Sequence, residues 1–314
     1  MTTSVREKTP LSQFAGPKYW PTWIGLGVMW VLAHLPLVIQ VKIGRALGYL
    51  AYLFAKQRRE ICKINISLCF PELSDTEQRI LVRNSFASNG IALMEVAIGW
   101  CRAPEDFRHR IEIKGLEHVK QAKLEGKGVL LLSAHFSTLE LAGVLFSLFE
   151  KMDVSYRKHK NPLFDAVMSN SRKKNFPAVI ERKNVREALR SLKRGHILWY
   201  APDQDYGPKH SVFVPFFGVE AATITATARF ARSNDAAVLF FTNYRSADNS
   251  KYHLEFGPVI SDYPSDDEVA NATKINEIIE EAIRRHPDQY LWMHKRFKTQ
   301  LKGKSASPYS HLTG

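Results

Sequence analysis

The sequence predicts an α/β fold in which a mostly parallel sheet is flanked by helices and preceded by an N-terminal membrane helix. Three observations carry that prediction. No Asp, Glu, Lys or Arg falls between Lys18 and Lys42. From about residue 110 onward, strand-like and helix-like segments alternate. Within that alternation, GVLLLS at 128–133 is a short continuous apolar run, the pattern of a strand buried on both faces.

The charge-free run reads YWPTWIGLGVMWVLAHLPLVIQV. As one helix it would extend roughly 35 Å, enough to cross a hydrocarbon core of about 30 Å. Tyr19, Trp20 and Trp23 stand at one end, where interfacial aromatics belong, while His34 and Pro36 lie inside it. Three arrangements fit the run: it spans a bilayer, lies in the interface, or packs as a buried helix. It starts too far into the chain for a cleaved signal peptide. The following segment, 42–59, carries Lys42, Arg45, Lys56, Arg58 and Arg59. Its Ile43, Leu47, Leu50 and Phe54 recur at helical spacing, so it reads as an amphipathic basic helix. Basic residues next to a membrane segment favour the cytoplasmic side. Residues 1–60 therefore form one unit and 61–314 a second, catalytic one.

Residues 61–109 read as mostly helical. Beyond them, strands are expected at 110–114, 128–133, 154–157, 196–200, 237–244 and 251–258. Helices are expected at 116–124, 138–149, 161–175, 185–194, 223–233 and 266–285, the last stopped at His286 and Pro287. In such folds, sites collect where strands end and helices begin.

Composition narrows the function. A formal net charge of +13 favours an anionic partner such as nucleic acid, an acidic protein or a phosphate-rich lipid. The basic residues crowd at Lys173, Lys174, Arg182, Lys183, Arg186, Arg190, Lys193 and Arg194, and again at Lys295, Arg296, Lys298, Lys302 and Lys304. Some of the first group belong to an ordinary solvated helix face. No nucleic-acid module is recognisable. The cysteines Cys62, Cys69 and Cys101 have neither disulfide-framework nor zinc-site spacing and read as packed thiols.

The stretch GVLLLSAHFSTLELAG at 128–143 carries the chemistry. A buried strand delivers His135 to its carboxyl end, and a helix begins near Ser137. In one continuous helix His135 and Glu140 would point about 140° apart. His135 is therefore expected before the helix, with its imidazole turned toward Glu140. A carboxylate there fixes the histidine tautomer and leaves the second ring nitrogen as general base. A second reading of the same residues is a capping box, with Ser137 at N-cap and Glu140 at N3, serving only the helix start. No G-x-S-x-G and no Walker A sequence occurs.

That stretch resembles the H-x₄-D/E acyltransferase motif, and nearly the whole chain resembles one branch, the late acyltransferases of lipid A biosynthesis of lauroyl or palmitoleoyl type. The resemblance runs through KYWPTWIGLGVMWVL, NISLCFPELS, AHFSTLEL, YRKHKNPLFD, WYAPDQDYGPKHSVFVPFFGVEAAT and QYLWMHKRFKT. It implies a glycerolipid-acyltransferase-like fold on the cytoplasmic face of the cell inner membrane, held single-pass or tightly peripheral. It implies transfer of an acyl chain, laurate or similar, from acyl carrier protein to the 3-hydroxyl of a hydroxyacyl chain on Kdo-bearing lipid A precursor (Kdo2-lipid IVA). By the same resemblance His135 deprotonates the hydroxyl and Glu140 orients it, and the family's further arginine and aspartate fall on Arg172 and Asp203. Arg172 would bind phosphate or the developing oxyanion. Asp203, which follows a strand, is read equally as a site residue or as a turn residue after Pro202. A thioester carries its own activation, so neither cofactor nor metal is expected. Two rivals remain: an acyltransferase for glycerol phosphate or another phospholipid precursor, and a basic membrane-associated binding protein.

Overall fold

A computed structural model of the chain describes residues 8–301, 303 and 306–312. The helical part comes first: α1 (Trp20–Ala33), α2 (Leu37–Phe54), α3 (Lys56–Cys69) and α4 (Asp75–Cys101). The apolar run at 19–41 is thus not one helix. Leu37 starts a new one directly after Pro36, because the residue before proline is pushed out of helical geometry and proline itself suits a helix start. Basic Lys56, Arg58 and Arg59 accordingly sit on α3 rather than closing the amphipathic helix. Among the described residues α2 is the helix whose length and composition suffice to cross a membrane. Side chains such as Ile24 (70% exposed) on α1 and Phe54 (78%) on α2 face outward.

The inner face of α2 is set by glycine. A Cβ at Gly48 would stand 2.3 Å from the carbonyl oxygen of Phe86, and one at Gly90 2.1 Å from that of Gly44. Only residues without side chains let the α2 and α4 backbones cross this closely. The 27-residue α4 starts on a capping box, with Glu77 N–H donating to Ser74 Oγ (3.3 Å) and Ser74 N–H donating to Glu77 Oε2 (2.8 Å).

The sheet then builds from β1 (Ile111–Lys114), β2 (Val129–Leu132), β3 (Met152–Tyr156), β4 (Val179–Glu181), β5 (Ile197–Tyr200), β8 (Ala237–Arg245) and β9 (Tyr252–Phe256), in spatial order β1-β9-β8-β2-β5-β3-β4. All neighbours are parallel except β8 and β9. Helices α5 (Leu116–Leu124), α6 (Leu139–Phe146), α7 (Pro162–Asn175), α8 (Val185–Lys193) and α9 (Ala226–Asn234) lie between strands along the chain, and α10 (Glu268–Arg285) follows the last strand. β2 is central and wholly buried, and its side chains divide between two cores. Leu130 and Leu132 pack with Ile66 of α3 and Ile275 and Ile279 of α10. Val129 and Leu131 pack with Leu145 and Phe146 of α6 and Val119 of α5. A strand covered on both faces has no polar side to display, which is why it reads as an unbroken apolar run.

Three strands were not expected. Residues 211–224 form an antiparallel hairpin of β6 (Ser211–Phe216) and β7 (Val219–Ile224) outside the main sheet. Its two-residue turn places Phe217 (φ 53°) and Gly218 (φ 73°) both in the left-handed region, as a type I′ hairpin requires. The helix expected at 223–233 therefore begins later, at Ala226. The short β4 also escaped the sequence reading.

Candidate active site

β2 and β5 are parallel neighbours, so the chain leaving β2 and the chain leaving β5 emerge side by side. The first brings Ser133, Ala134 and His135; the second brings Pro202 and Asp203. Ser133 Oγ donates to the carbonyl of Phe241 (2.7 Å) and ties the turn to β8. Asp203, 1% exposed, then grips His135 twice: the backbone N–H of His135 donates to Oδ2 (2.9 Å), and ring Nδ1 lies 2.6 Å from Oδ1. Tyr290 adds a third bond, its hydroxyl donating to Oδ2 (3.0 Å).

The electrostatics settle the proton's place. Burial alone would raise the Asp203 pKa; the charge of His135 and the hydrogen bonds from its ring and backbone outweigh this and hold the carboxyl at about 2. An ionised carboxylate only accepts, so Nδ1 must carry the hydrogen and Nε2 keeps its lone pair. For His135, burial opposes the charged imidazolium, but the charge and hydrogen bond of Asp203 outweigh it. The ring's pKa ends above its ordinary 6.5. The side chain is 25% exposed, so the unbonded edge reaches solvent. His294 sits near the same charges, yet burial drives it down to about 4 despite the pull of Asp203, so it stays neutral.

The loop holding His135 is braced from the far end of the chain. Leu291 N–H donates to the His135 carbonyl (3.0 Å), Ser137 N–H to the Gln289 carbonyl (2.7 Å), and Phe136 bridges Tyr290. Arg245, ion-paired to buried Glu95 of α4 (2.8 Å), also donates to Ser137 Oγ (3.1 Å).

Glu140 does something other than expected. Its carboxylate makes neither a hydrogen bond nor an ion pair with His135. Oε1 accepts from Trp100 Nε1 (2.8 Å) and Arg172 Nε (2.9 Å), and Oε2 accepts from Arg172 Nη2 (2.5 Å). The expected geometry is corrected accordingly: the carboxylate on the ring is Asp203's, and Glu140 is a clamp joining α6 to α4 and α7. The capping box is absent too. α6 has Thr138 at its N-cap with no side-chain cap, because Ser137 is held by Arg245 and Gln289 instead. Burial would raise the Glu140 pKa, but the paired Arg172 and the indole N–H bring it below its ordinary value. Arg172 Nη1 has no partner among the described residues. Beside this pair lies a narrow slot of about 50 Å³ lined by Gly143, Met152, Val154, Phe176 and Trp199, largely apolar.

The four residues expected at the site thus form two pairs on one end of the sheet, His135 with Asp203 and Glu140 with Arg172. Tyr290, Trp100 and His294 were missed, although Tyr290 and His294 lie in the QYLWMHKRFKT stretch. The C-terminal basic cluster is only partly surface. Arg296 is buried and donates to the Ala222 carbonyl (2.8 Å) and Thr223 Oγ1 (3.0 Å). Lys302 and Lys304 lie outside the described residues. Cys62 and Cys69 are packed thiols whose pKa burial pushes up, so neither is a nucleophile at neutral pH.

Comparison with known proteins covers nearly the whole chain. Residues 8–299 match the model of a family described as bacterial lipid A biosynthesis acyltransferase. The lipid A biosynthesis palmitoleoyltransferase of Escherichia coli (strain K12) is 40% identical over 295 residues, covering 94% of this chain and 96% of that one. The lipid A biosynthesis lauroyltransferase of the same organism is 39% identical over 288 residues, covering 91% and 94%. A lipid A biosynthesis acyltransferase of Haemophilus influenzae is 32% identical over 309 residues, covering 96% and 99%. Relatives named for two different acyl chains stand almost equally near, so identity does not choose a chain length.

Proposed function

This chain belongs to the bacterial lipid A biosynthesis acyltransferases and is an acyltransferase; from that premise we propose its reaction in full. It moves a fatty acyl group, laurate or a similar chain, from acyl carrier protein to the 3-hydroxyl of a hydroxyacyl chain on Kdo2-lipid IVA. The observation that carries the proposal is the imidazole at the end of the central strand, with Nδ1–H held by an ionised, buried Asp203 and Nε2 left free.

Nε2 takes the proton from the acceptor hydroxyl as its oxygen attacks the thioester carbonyl, and Asp203 stabilises the imidazolium that forms. Collapse of the tetrahedral intermediate breaks the C–S bond and expels the carrier thiolate, which recovers that proton. Arg172, fixed by Glu140 through Nε and Nη2, keeps Nη1 for a phosphate or the developing oxyanion. The apolar slot beside it suits hydrocarbon. The excess of basic residues suits an acidic carrier and an anionic acceptor.

The acceptor's acyl chains are costly to expose to water, about 0.8 kcal/mol per CH₂. The outward apolar faces of α1 and α2 support a seat at the bilayer, with residues 1–60 as the membrane-contacting unit and 61–314 as the catalytic one on the cytoplasmic face of the inner membrane. Purified His135→Ala protein, assayed with acyl carrier protein thioester and acceptor, should lose roughly 10²–10⁴-fold in turnover while keeping its melting curve. Near-normal turnover would reject His135 as the base.

A further inference from the structure

A further cavity belongs to none of these residues. A recess of about 1040 Å³ opens between α2, α4 and the end of β8, and its walls carry neither His135, Asp203, Glu140 nor Arg172. Arg45 of α2 and Arg83 of α4 line it. Among the described residues neither has a carboxylate partner; Arg83 only lies over the Tyr49 ring, 5.5 Å from its centroid. Most other arginines around the fold are neutralised or spent: Arg245 on Glu95, Arg172 on Glu140, Arg285 on Glu255. Asp288 is the one acid of this wall set. On the opposite side Tyr244 is stacked between His253 and His286, with centroids 4.6 and 3.6 Å away. The rim carries exposed Tyr49 (46%) and Ile80 (53%), and Tyr49 continues into the outward apolar face of α2.

Two guanidiniums without carboxylate partners at one open recess recruit an oxyanion, and guanidinium suits phosphate in particular. An apolar rim continuous with exposed hydrophobic helix surface selects an anion that carries hydrocarbon. We propose that this recess is a second, non-catalytic site that binds the phosphate of a lipid headgroup, with Arg45 and Arg83 as its ligands and the lipid's chains lying along α2. The recess is concave and carries apolar side chains at its rim, which favours a lipid over the convex acidic helix of a carrier protein. Because Ser88 on its wall accepts from Arg245 Nη2 (2.6 Å), and the same Nη2 donates to Ser137 Oγ (3.1 Å), an occupant touches the bracing of the His135 loop without touching His135.

The test is native mass spectrometry of full-length protein released from detergent with equal phosphatidylglycerol and phosphatidylcholine. Wild type should retain phosphatidylglycerol in preference, and Arg45→Ala/Arg83→Ala should lose about tenfold of that preference, equivalent to about 1.4 kcal/mol. Arg186→Ala/Arg190→Ala, an equal charge loss on α8, should keep it, and so should His135→Ala, which separates this site from the fate of the proposed reaction. Adding a bis-phosphorylated lipid A precursor tells the sources apart. Displacement of phosphatidylglycerol one for one identifies the acceptor's own phosphate, and retention of both identifies a bilayer lipid. Loss of the preference to the same extent in the α8 variant would overturn the proposal. So would no preference in wild type, or an unchanged preference joined to a raised KM for the carrier donor.

Discussion

His135–Asp203 and Glu140–Arg172 are two partly buried acid–base pairs beside one sheet, and they differ in the partner's ability to change charge. Asp203 holds a ring that can change charge, raising its pKa above the ordinary 6.5, and it leaves that ring's second nitrogen open. Glu140 holds a guanidinium that never deprotonates, and the contact consumes both carboxylate oxygens. In the proposed reaction the first pair moves a proton; the second joins three helices and presents a permanent charge. Sequence distance misleads here, since the acid nearest His135 in the chain is the one that does not touch it.

Replacing each carboxylate by its amide pulls the two roles apart. Asp203→Asn should give the largest effect, a loss of roughly 10³–10⁴-fold in kcat, as in other His–Asp pairs where the amide imposes the wrong tautomer. The sign of its pH effect follows from the same contact. Activity needs neutral Nε2 and is lost as pH falls through the His135 pKa, which Asp203 raises above 6.5. In the amide variant the acid limb of residual kcat/KM should move to lower pH; a limb that stays in place would mean His135 is not the titrating base.

Glu140→Gln should act on stability first. It leaves the Arg172 charge unpaired in a site where both side chains are less than a fifth exposed, at a cost of about 2–4 kcal/mol. Thermal denaturation should show this fall, and Arg172→Gln added to it should restore part. A melting temperature unmoved by the single change would break the contrast drawn above. Tyr290→Phe should be mildest. It removes one neutral donor from Asp203, about 1 kcal/mol, lowers kcat a few-fold and shifts the acid limb slightly upward, because the carboxylate then stabilises imidazolium more strongly. A downward shift would show that the hydroxyl serves some other group.

What the sequence displayed is local. GVLLLS announces a strand buried on both faces, and His135 at its end follows from that. The periodicity of residues 266–285 gave α10 within two residues at its start. Order across the sheet is not local. Nothing in 196–203 says that β5 lies against β2, and only that adjacency makes Asp203 the partner of His135. The capping signature at Ser137 was legible but false, because Arg245 and Gln289 compete for the same serine. The hairpin at 211–224 was hidden because its turn pairs Phe217, not Asn or Asp, with Gly218. The break before Leu37 was visible as Pro36, and the depth of the α2–α4 crossing was foreshadowed only by glycines whose partners lie far along the chain.

The strap from Gln289 to Leu291 has a consequence for how the molecule comes into being. A ribosome delivers the chain from its first residue, so a nascent protein can already contain all strands of the main sheet, His135 and Asp203 while this strap is still inside the exit tunnel. Until it emerges, the His135 carbonyl and the Ser137 amide lack their partners, and Asp203 lacks the Tyr290 hydroxyl. The His135 loop is therefore closed by a segment made after every strand of the main sheet. Fragments ending before Gln289 should accumulate as sheet-containing species without activity, a result that expression of such truncations checks directly.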